Sequence, residues 1–389
     1  MVTGDGAYIK KINRSYILQM IMERGLISRA ELSKITGLNK ATISVQVADL
    51  LDEGLVHETQ QEHNTIGRRP IMLSIHPNAG FTLGIDLDYK KIRCSVSNFK
   101  GNIVESVSET LDTYEYTEIV EILVTKIKAY VSKYSFSKYG LANAVIGIHG
   151  TVNNDQKIHF VPSYKWHNID LKHDLEQEID LPISIENSAN LSALAEKVYQ
   201  YHHSQNLMTV FFRSGIGAGI MTDGKLDKGY NGFAGEIGHM ILFPGGKQCP
   251  CGAHGCWELY AAEPTLFTQL SKELNRTIDN YTDLEQLILE NNPVAMKLIH
   301  AFIYHISIGL NNVINLYNPE ILVLNSNILA CYPNAIEEIK SNLHSNVSQY
   351  SQIALSKIGS RSTALGACAL GIQHFLEIAA LSLTSEEFQ

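Results

Sequence analysis

The sequence lacks the features of membrane-spanning, secreted and disordered proteins. Its 389 residues contain no run of about 18 uninterrupted apolar residues, the minimum for a membrane-spanning helix. The first residues, Met-Val-Thr-Gly-Asp-Gly, do not form the charged and apolar regions of a secretory signal. Proline and glycine dominate no segment, and 45% of the residues are hydrophobic. We therefore expect a folded cytoplasmic protein of two or three domains, with no membrane partner.

Charge is distributed unevenly along the chain, whose formal net charge is −9. Residues 1–80 carry nine basic and eight acidic side chains, a net charge of +1, which leaves −10 for the remainder. Between Ile9 and Gln46 the counts are seven basic and two acidic residues. A basic segment attached to an acidic body indicates an N-terminal module that binds nucleic acid.

Three amphipathic segments in this basic region predict a helix-turn-helix. The first has apolar residues at helical spacing and ends at Gly25. Ser28 begins the second, with Glu31 completing a capping box, and Gly37 ends it. The third is expected from about Lys40 to Glu53, after a short turn. The predicted core comprises apolar residues of these segments: Ala30, Leu32, Ile35, Leu38, Ile43, Val47, Leu50 and Leu51.

Two predicted strands, Leu55–Thr59 and Ile71–Ile75, make this module a winged helix over residues 1–78. The loop between them ends Gly67-Arg-Arg-Pro70, and paired arginines suit the narrow minor groove of DNA. The alternative is a solvated three-helix bundle whose basic residues only keep it soluble. The polar and basic residues expected to contact phosphates and base edges are Ser28, Arg29, Asn39, Lys40, Thr42, Ser44, Gln46, Arg68 and Arg69.

A cluster of thiols in the second half of the chain predicts a zinc site. Cys249, Cys251 and Cys256 follow a C-x-C-x4-C spacing, and His239 precedes them by ten residues. Three thiolates and one imidazole complete a closed tetrahedral site, so the zinc is expected to be structural. Three alternatives stay open: His254 as the fourth ligand, a reduced cluster without metal, and a reversible disulfide such as Cys249–Cys256.

The body of the chain contains two similar α/β units. Residues Phe81–Val107 and Leu207–Gly232 each predict a strand-turn-strand segment. Helical patterns follow in both units, at Tyr116–Tyr134 and Glu263–Leu274. This duplication predicts an α/β fold with two lobes and a cleft between them.

Five motifs in the body resemble those of the ROK family, which comprises repressors, open reading frames and sugar kinases. They are Gly147-Ile-His-Gly-Thr-Val152, Trp166-His-Asn-Ile-Asp-Leu171, Ile185-Glu-Asn-Ser-Ala-Asn190, Gly235-Glu-Ile-Gly-His239 and the cysteine motif. The resemblance implies a two-lobed actin-like, sugar-kinase-type ATPase fold after the winged helix. It also implies a first lobe at 79–190 completed by a helix at 364–389, and a second lobe at 191–363 with the zinc loop and an oligomerisation surface.

Two departures from the kinases of the family predict that the chain is not an enzyme. ROK kinases bind ATP phosphates with an Asp-x-Gly-Gly-Thr turn, where this chain has Asp86-Leu-Asp-Tyr-Lys90. Their catalytic aspartate lies in an Asn-Asp-Ala-Asn run, where this chain has Ser188. A serine hydroxyl without an activating partner cannot act as a general base near neutral pH. The turn Gly215-Ile-Gly-Ala-Gly219 is interpreted as a structural hairpin.

The resemblance implies that a sugar pocket is retained, with His149 where many relatives have proline. Within the family, the chain most resembles the repressors, and among these the branch that responds to xylose. This resemblance implies a homodimer, or a higher oligomer, that binds operator DNA and is released by a sugar, D-xylose first. The alternatives are another sugar or sugar phosphate, a protein partner, or a sugar kinase that retains DNA binding. The implied sugar ligands are Gly150, Asn187, Glu236, His239 and Glu258.

Overall fold

The computed structural model describes residues 6–60, although not the side chain of Gln60, and residues 71–383. Arg68 and Arg69, the predicted wing arginines, lie outside the described residues. The remaining predicted site residues all fall within them.

The N-terminal head is a winged helix-turn-helix. A capping box at Ser28 and Glu31 begins the second helix, and Gly37 ends it in the left-handed conformation, as predicted. Its three strands form an antiparallel sheet in the order β1-β3-β2. The elements are α1 (Gly6–Arg24), β1 (Ile27–Ser28), α2 (Arg29–Thr36), α3 (Lys40–Asp52), β2 (Val56–Gln60) and β3 (Ile71–Ile75).

Two residues of the predicted head core are exposed. Leu32 is the buried residue of α2, whereas Ala30 and Ile35 face solvent. The eight residues of α2 form only about two turns, so α1 and α3 cover one side of it. The rest of the core is supplied by α1, α3 and β3, with Ile17, Leu18, Ile21, Ile43, Val47, Leu50 and Leu73 fully buried.

The body contains two five-stranded sheets with the same topology. The first is ordered β11-β7-β4-β5-β6 and the second β14-β13-β12-β15-β16. In each sheet the first three strands along the chain form two antiparallel pairings, and the remaining two strands add two parallel pairings on the other side of the first strand. This repetition confirms the predicted duplication. The strands are β4 (Phe81–Asp88), β5 (Lys91–Asn98), β6 (Ile103–Thr110), β7 (Leu141–Ile148), β11 (Ile183–Asn187), β12 (Leu207–Phe212), β13 (Ile216–Thr222), β14 (Lys225–Leu226), β15 (Ile321–Asn325) and β16 (Gln352–Leu355).

Helices and a small third sheet complete the body. A three-stranded antiparallel sheet of β8 (Thr151–Val152), β9 (Ile158–Val161) and β10 (Trp166–Ile169) projects from the first unit. Short 3₁₀ helices cover Ile237–His239 and Gly359–Arg361. The α-helices are α4 (Tyr116–Lys133), α5 (Leu171–Glu178), α6 (Ser188–Tyr199), α7 (Glu258–Ala261), α8 (Glu263–Glu273), α9 (Tyr281–Leu289), α10 (Pro293–Tyr317), α11 (Asn327–Cys331), α12 (Ala335–Asn342) and α13 (Ser362–Leu376).

Helices α6 and α13 connect the two units by crossing between them. Helix α6 follows the first sheet but packs on β12 and β13, whereas α13 follows the second sheet and packs on β4 and β7. The two helices touch at Gly366, where an added Cβ would lie 1.8 Å from the carbonyl oxygen of Leu191. The predicted C-terminal helix at 364–389 is shorter, since Glu377 adopts a left-handed conformation after Leu376.

The head is packed against α6 and α13. One buried apolar cluster includes Ile17 and Val47 of the head, Val198 of α6 and Leu365 of α13. At its edge Lys11 Nζ lies 2.7 Å from a carboxylate oxygen of Glu377. Head and body therefore share a hydrophobic core.

Helix α10 is the one described helix that is long and apolar enough to cross a membrane. Its buried side chains, among them Phe302, Ile306 and Leu310, belong to the core beneath the second sheet. This packing is typical of a core helix.

Candidate functional site

A cleft of about 740 Å³ lies where the strand ends of both sheets and the start of α6 meet. It is lined by residues of the first sheet's edge, the β8–β9–β10 sheet, the β12–β13 turn and α7. All five residues implied as sugar ligands line it: Gly150, Asn187, Glu236, His239 and Glu258. They come from four separate segments of the chain, and the fold brings them together.

Asn187 fixes one wall of the cleft by capping α6. Its Oδ1 accepts hydrogen bonds from the backbone N–H groups of Ala189 and Asn190. Its Nδ2 donates to the carbonyl oxygen of Gly150 at 2.8 Å. An added Cβ at Gly150 would lie 2.3 Å from the carbonyl oxygen of Phe160, so this turn requires glycine. Asn187 and Gly150 thus shape the cleft as one unit.

Two carboxylates flank His239 at the opposite wall. Glu258 Oε1 lies 3.5 Å from Nδ1 of the ring, and Glu236 Oε2 lies 4.0 Å from Nε2. Burial raises the pKa of Glu236 above its usual range, while the charge of His239 opposes the shift. Both carboxylates can accept hydrogen bonds from hydroxyl groups in the cleft.

The predicted zinc ligands form a compact group beside this wall. One ligand atom from each of His239, Cys249, Cys251 and Cys256 lies within 4.8 Å of the others. Cys249 Sγ is 3.7 Å from His239 Nδ1, and Cys251 Sγ is 3.7 Å from Cys256 Sγ. In a tetrahedral site with bonds of roughly 2.0–2.3 Å, ligand atoms are about 3.5–3.8 Å apart. The side chains therefore fit one zinc ion.

The structure distinguishes between the alternatives for the fourth ligand. His254 is exposed and pairs through its backbone with Gln248, outside the ligand group. All six cysteines are free thiols, so no disulfide is formed in this structure.

The cysteine loop is anchored by Trp257, whose ring is fully buried and whose Nε1 donates to the carbonyl oxygen of His305.

A buried ionic cluster lies at Asp86 and Asp88, in the stretch predicted from the sequence to replace the phosphate turn of ROK kinases. His149 Nε2 lies 2.8 Å from Asp86 Oδ1, and Arg93 donates to Asp86 Oδ2, also at 2.8 Å. Arg93 also lies 3.4 Å from Asp88. The turn that follows is a tight hairpin with Lys90 in the left-handed conformation. Asp86, Asp88 and His149 could hold a cation together, but Arg93 already supplies a positive charge there.

Burial and charge act in opposite directions in this cluster. Burial alone would lower the pKa of His149, but the carboxylates of Asp88 and Asp86 outweigh it and raise the pKa above its ordinary value. Burial would raise the pKa of Asp86, but His149 and Arg93 outweigh it and lower the pKa. Arg93, Asp86 and Asp88 therefore form a buried ion pair network, which His149 joins as a charged partner when its ring is protonated.

The residues predicted to contact DNA lie at the start of α2 and along α3. Asn39, Lys40 and Ser44 are exposed, and Thr42 is half-buried. Asn39 caps α3 by accepting a hydrogen bond from Thr42 N. Val45 adds an exposed apolar side chain to the same helix, which its apolar character did not predict.

Three other predicted DNA contacts have partners within the head. Gln46 is 4% exposed, and its Nε2 donates to the carbonyl oxygen of Lys10. Its prediction as an exposed DNA contact is wrong, because α1 covers this side of α3. Ser28 caps α2, and Arg29 forms an ion pair with Glu58.

The positive charge of the head is partly neutralised by the fold. Lys10 pairs with Asp49, Lys11 with Glu377, and Arg14 with Glu53. Within the described residues, Lys34 and Lys40 form no ion pair and remain as free charges on α2 and α3. The basic surface is therefore narrower than the sequence count indicates.

Comparison with known proteins identifies the family. The sequence model of the ROK family matches residues 82–374, and a winged helix-turn-helix DNA-binding model matches residues 16–57. The chain belongs to the ROK family. It is 34% identical to the xylose repressor of Bacillus subtilis (strain 168), over 97% of this chain and 99% of that protein. It is 24% identical to the N-acetylglucosamine repressor of Escherichia coli O6:H1, over 82% of each chain.

Solved structures confirm the fold of this ROK protein. A ROK family transcriptional regulator, described as a homologue of the E. coli MLC protein, superposes with a TM-score of 0.82 at 24% identity. That match covers 95% of this chain and 97% of the other. A ROK glucokinase from Streptomyces griseus, solved with glucose and AMPPNP, gives a TM-score of 0.67 at 23% identity. It covers 75% of this chain and 99% of the kinase.

Several residues that line the cleft of this ROK protein were not selected from the sequence. They include Arg213, whose guanidinium lies over the ring of Phe211, and His159 and His167 of the small sheet. Arg213 carries one sequence signal, since it directly precedes the glycine-rich turn that was interpreted as structural. That turn does form a hairpin between β12 and β13, and its residues also line the cleft.

The ion pair network generates a pH-dependent prediction. His149→Gln should lower the free energy of unfolding by about 3 kcal/mol at pH 6, because it breaks a buried pair. Because the pKa of His149 is higher in the folded than in the unfolded chain, its stabilising effect is complete below the unfolded pKa of about 6.5. That effect is lost as the pH rises through the folded pKa. In urea unfolding from pH 6 to 9, the difference in free energy of unfolding between wild type and His149→Gln should therefore become smaller as the pH rises. The control, His300→Gln, removes an exposed pair and should cost less than about 1 kcal/mol.

Proposed function

We propose that this ROK protein is a sugar-responsive transcriptional repressor that binds operator DNA as a dimer and is released by a sugar. The observation that carries this proposal is that one chain joins a winged helix to a polar cleft through a shared apolar core. The printed names of similar proteins, xylose repressor and N-acetylglucosamine repressor, support the same function.

The DNA contacts are assigned to α2, α3 and the wing. Exposed Asn39, Lys40 and Ser44 present amide, ammonium and hydroxyl groups that can bond phosphates and base edges. Thr42, Ser28 and Arg29 lie at the margin of this surface. Arg68 and Arg69 are proposed to reach the minor groove from the wing.

The sugar is proposed to bind Gly150, Asn187, Glu236, His239 and Glu258 in the cleft. D-xylose is the favoured inducer, because similarity to the Bacillus subtilis xylose repressor extends over 97% of the chain. The genes controlled would then be those of xylose utilisation. Glucose or N-acetylglucosamine 6-phosphate is the alternative inducer, supported by the weaker similarity to the N-acetylglucosamine repressor.

We further propose that the protein does not transfer phosphate. A phosphate-binding turn needs free backbone N–H groups, but Tyr89 N donates to the carboxylate of Asp88. Asp86 and Asp88 both lie within ion-pair distance of Arg93 and of His149, so neither carboxylate is free. At the position of the catalytic base, Ser188 has no carboxylate.

Zinc is proposed as a structural ion held by His239, Cys249, Cys251 and Cys256. When bound, it would crosslink the 3₁₀ helix Ile237–His239 to the cysteine loop. Because His239 also faces the cleft, the loop and the sugar site share one side chain.

The coupling between the sugar and DNA is proposed to follow α6. Its first residues line the cleft, and its last turn packs in the cluster that contains Ile17 and Val47 of the head. Closure of the cleft around a sugar would shift the cysteine loop and α6 together. In a dimer this shift would change the distance between heads, which must match half-sites about one helical turn, roughly 34–36 Å, apart.

The first prediction concerns DNA. Lys40→Ala should weaken binding to a duplex selected with the full-length protein by at least about threefold, and should reduce the salt dependence. Fluorescence anisotropy over a range of salt concentrations measures both effects. Lys297→Ala, which removes an exposed lysine of α10, is the matched control and should change neither. Equal losses in both variants would contradict the assignment of α3.

The second prediction concerns the sugar. Calorimetry should detect binding of D-xylose, and xylose should release the selected duplex. Glu236→Gln should weaken xylose binding by about tenfold, because it removes a charged acceptor while preserving shape. Glu178→Gln on α5, outside the cleft, should bind like wild type.

The same titrations with glucose, glucose 6-phosphate and N-acetylglucosamine 6-phosphate test the choice of sugar. Binding heat and DNA release with one of these sugars, and neither with xylose, would overturn the assignment of xylose as the inducer. The proposed repressor function would still stand. ATP turnover with any sugar, abolished in Asp86→Asn, would instead support the kinase alternative.

The third prediction concerns zinc. Elemental analysis of the purified chain should find about one zinc per chain, and Cys256→Ser should lose it. Cys331→Ser, which changes a thiol outside the ligand group, should keep the metal. Zinc-free wild-type protein with the three thiols reduced would support the metal-free alternative, and a disulfide would appear as thiols blocked until reduction.

A further inference from the structure

Arg213 is a buried cation in the wall of the cleft, and it forms no ion pair with any residue of 6–60 or 71–383. The residue follows β12 and lines the cleft, yet it is only 7% exposed. Its Nε and Nη2 atoms are buried and have no hydrogen-bond partner among the described residues. A guanidinium keeps its charge at any physiological pH, so it cannot escape this environment by losing a proton.

The carboxylates near Arg213 are bound by other groups. Asp86 accepts from His149 and Arg93, one on each oxygen. Glu263 accepts from Tyr281 and from backbone N–H groups at the start of α11. Neither of them forms an ion pair with Arg213 in the part of the chain that the structure describes.

Apolar and aromatic groups hold the guanidinium in place. Its Cζ lies 5.3 Å from the ring centre of Phe211, and the same ring lies 5.3 Å from that of His149. The charge of Arg213 helps to lower the pKa of Asp86, but the oxygens of that carboxylate are bonded to His149 and Arg93 and not to Arg213. Ser188, which also lines the cleft, has a buried hydroxyl without a partner in the described structure.

A buried charge without hydrogen bonds is strongly destabilising, and proteins normally pair it. The buried Nε and Nη2 donors of Arg213 are unused by the described chain, and the residue borders the cleft. A ligand atom that accepts hydrogen bonds and carries negative charge would satisfy the unused donors and would balance the positive charge of Arg213. Guanidinium groups bind carboxylate and phosphate oxygens in this way, often through two parallel bonds.

We propose that the cleft contains an anion subsite at Arg213, distinct from the sugar site and able to bind a phosphate monoester or a carboxylate group of a small ligand. The subsite goes beyond the proposed repressor function, and anion binding to the free protein does not depend on which sugar releases DNA.

The binding test uses the full-length, metal-replete protein without DNA. Calorimetry with inorganic phosphate and, separately, acetate is carried out at constant ionic strength in chloride. One or both should bind wild type, and Arg213→Met should weaken that binding by at least about tenfold, the loss expected for a charged hydrogen-bonded contact. Arg213→Lys keeps the charge but lacks the two parallel donors, so its affinity for the anion should lie between those of wild type and Arg213→Met. The anion that binds more tightly identifies phosphate or carboxylate as the ligand class.

Two outcomes of this titration would overturn the subsite. One is the absence of binding of both anions to wild type, and the other is undiminished binding to Arg213→Met. Xylose titrated into Arg213→Met separates this proposal from the proposed function. Retained xylose binding with lost anion binding supports a distinct subsite, whereas equal loss of both assigns Arg213 to the sugar site and overturns the proposal.

Stability measurements in anion-free buffer provide a second readout. Because Arg213 is an unpaired buried charge, Arg213→Met should unfold at an equal or higher temperature than wild type. Arg93→Met is the matched control, since it removes a buried arginine whose partner Asp86 would be left without it, and it should unfold at a lower temperature. A folding defect in Arg213→Met comparable to that of Arg93→Met would show that Arg213 is structurally paired and would overturn the proposal.

Discussion

The close contact between α6 and α13 is the constraint on which the rest of the molecule depends. Each helix leaves one sheet and packs on the other, so the two units can approach only if the helices can touch. Gly366 permits this, since any larger side chain would meet the backbone of Leu191. Both helices then extend their apolar faces to the head. The cleft, the sheets and the winged helix are thus assembled around one pair of helices.

The same arrangement explains why the position of α6 matters at both of its ends. Its N-terminal end is held by Asn187, which also fixes the turn at Gly150 in the cleft. Its C-terminal end is enclosed by side chains from the head and from α13. The proposed coupling between the cleft and the head would act through a displacement of this helix.

Much of the fold could be predicted from the sequence, because its signals are local. Capping at Ser28, the glycine at Gly37 and the alternation of strands and turns each depend on a few neighbouring residues. The group of three cysteines and His239 could also be predicted, since the short spacing of the cysteines restricts which sulfur atoms can lie close enough to bind one metal ion. Burial was harder to predict. Gln46 has the polarity of a surface residue, and only the docking of α1 covers it. The sequence did not indicate that Arg213 lacks an ion-pair partner in the described structure, because the neighbours of a side chain in space depend on the fold.

With zinc bound as proposed, the orientation of the His239 ring would set the direction of hydrogen bonding to a sugar in the cleft. Nδ1 faces the thiols, and Nε2 faces Glu236. A neutral imidazole carries one proton, and a nitrogen that offers its lone pair to a metal leaves that proton on the other nitrogen. His239 would then present a donor to the cleft, while the ionised form of Glu236 presents acceptors. A hydroxyl bound between them would accept from one and donate to the other, which an ether oxygen or a methyl group at the same place could not do.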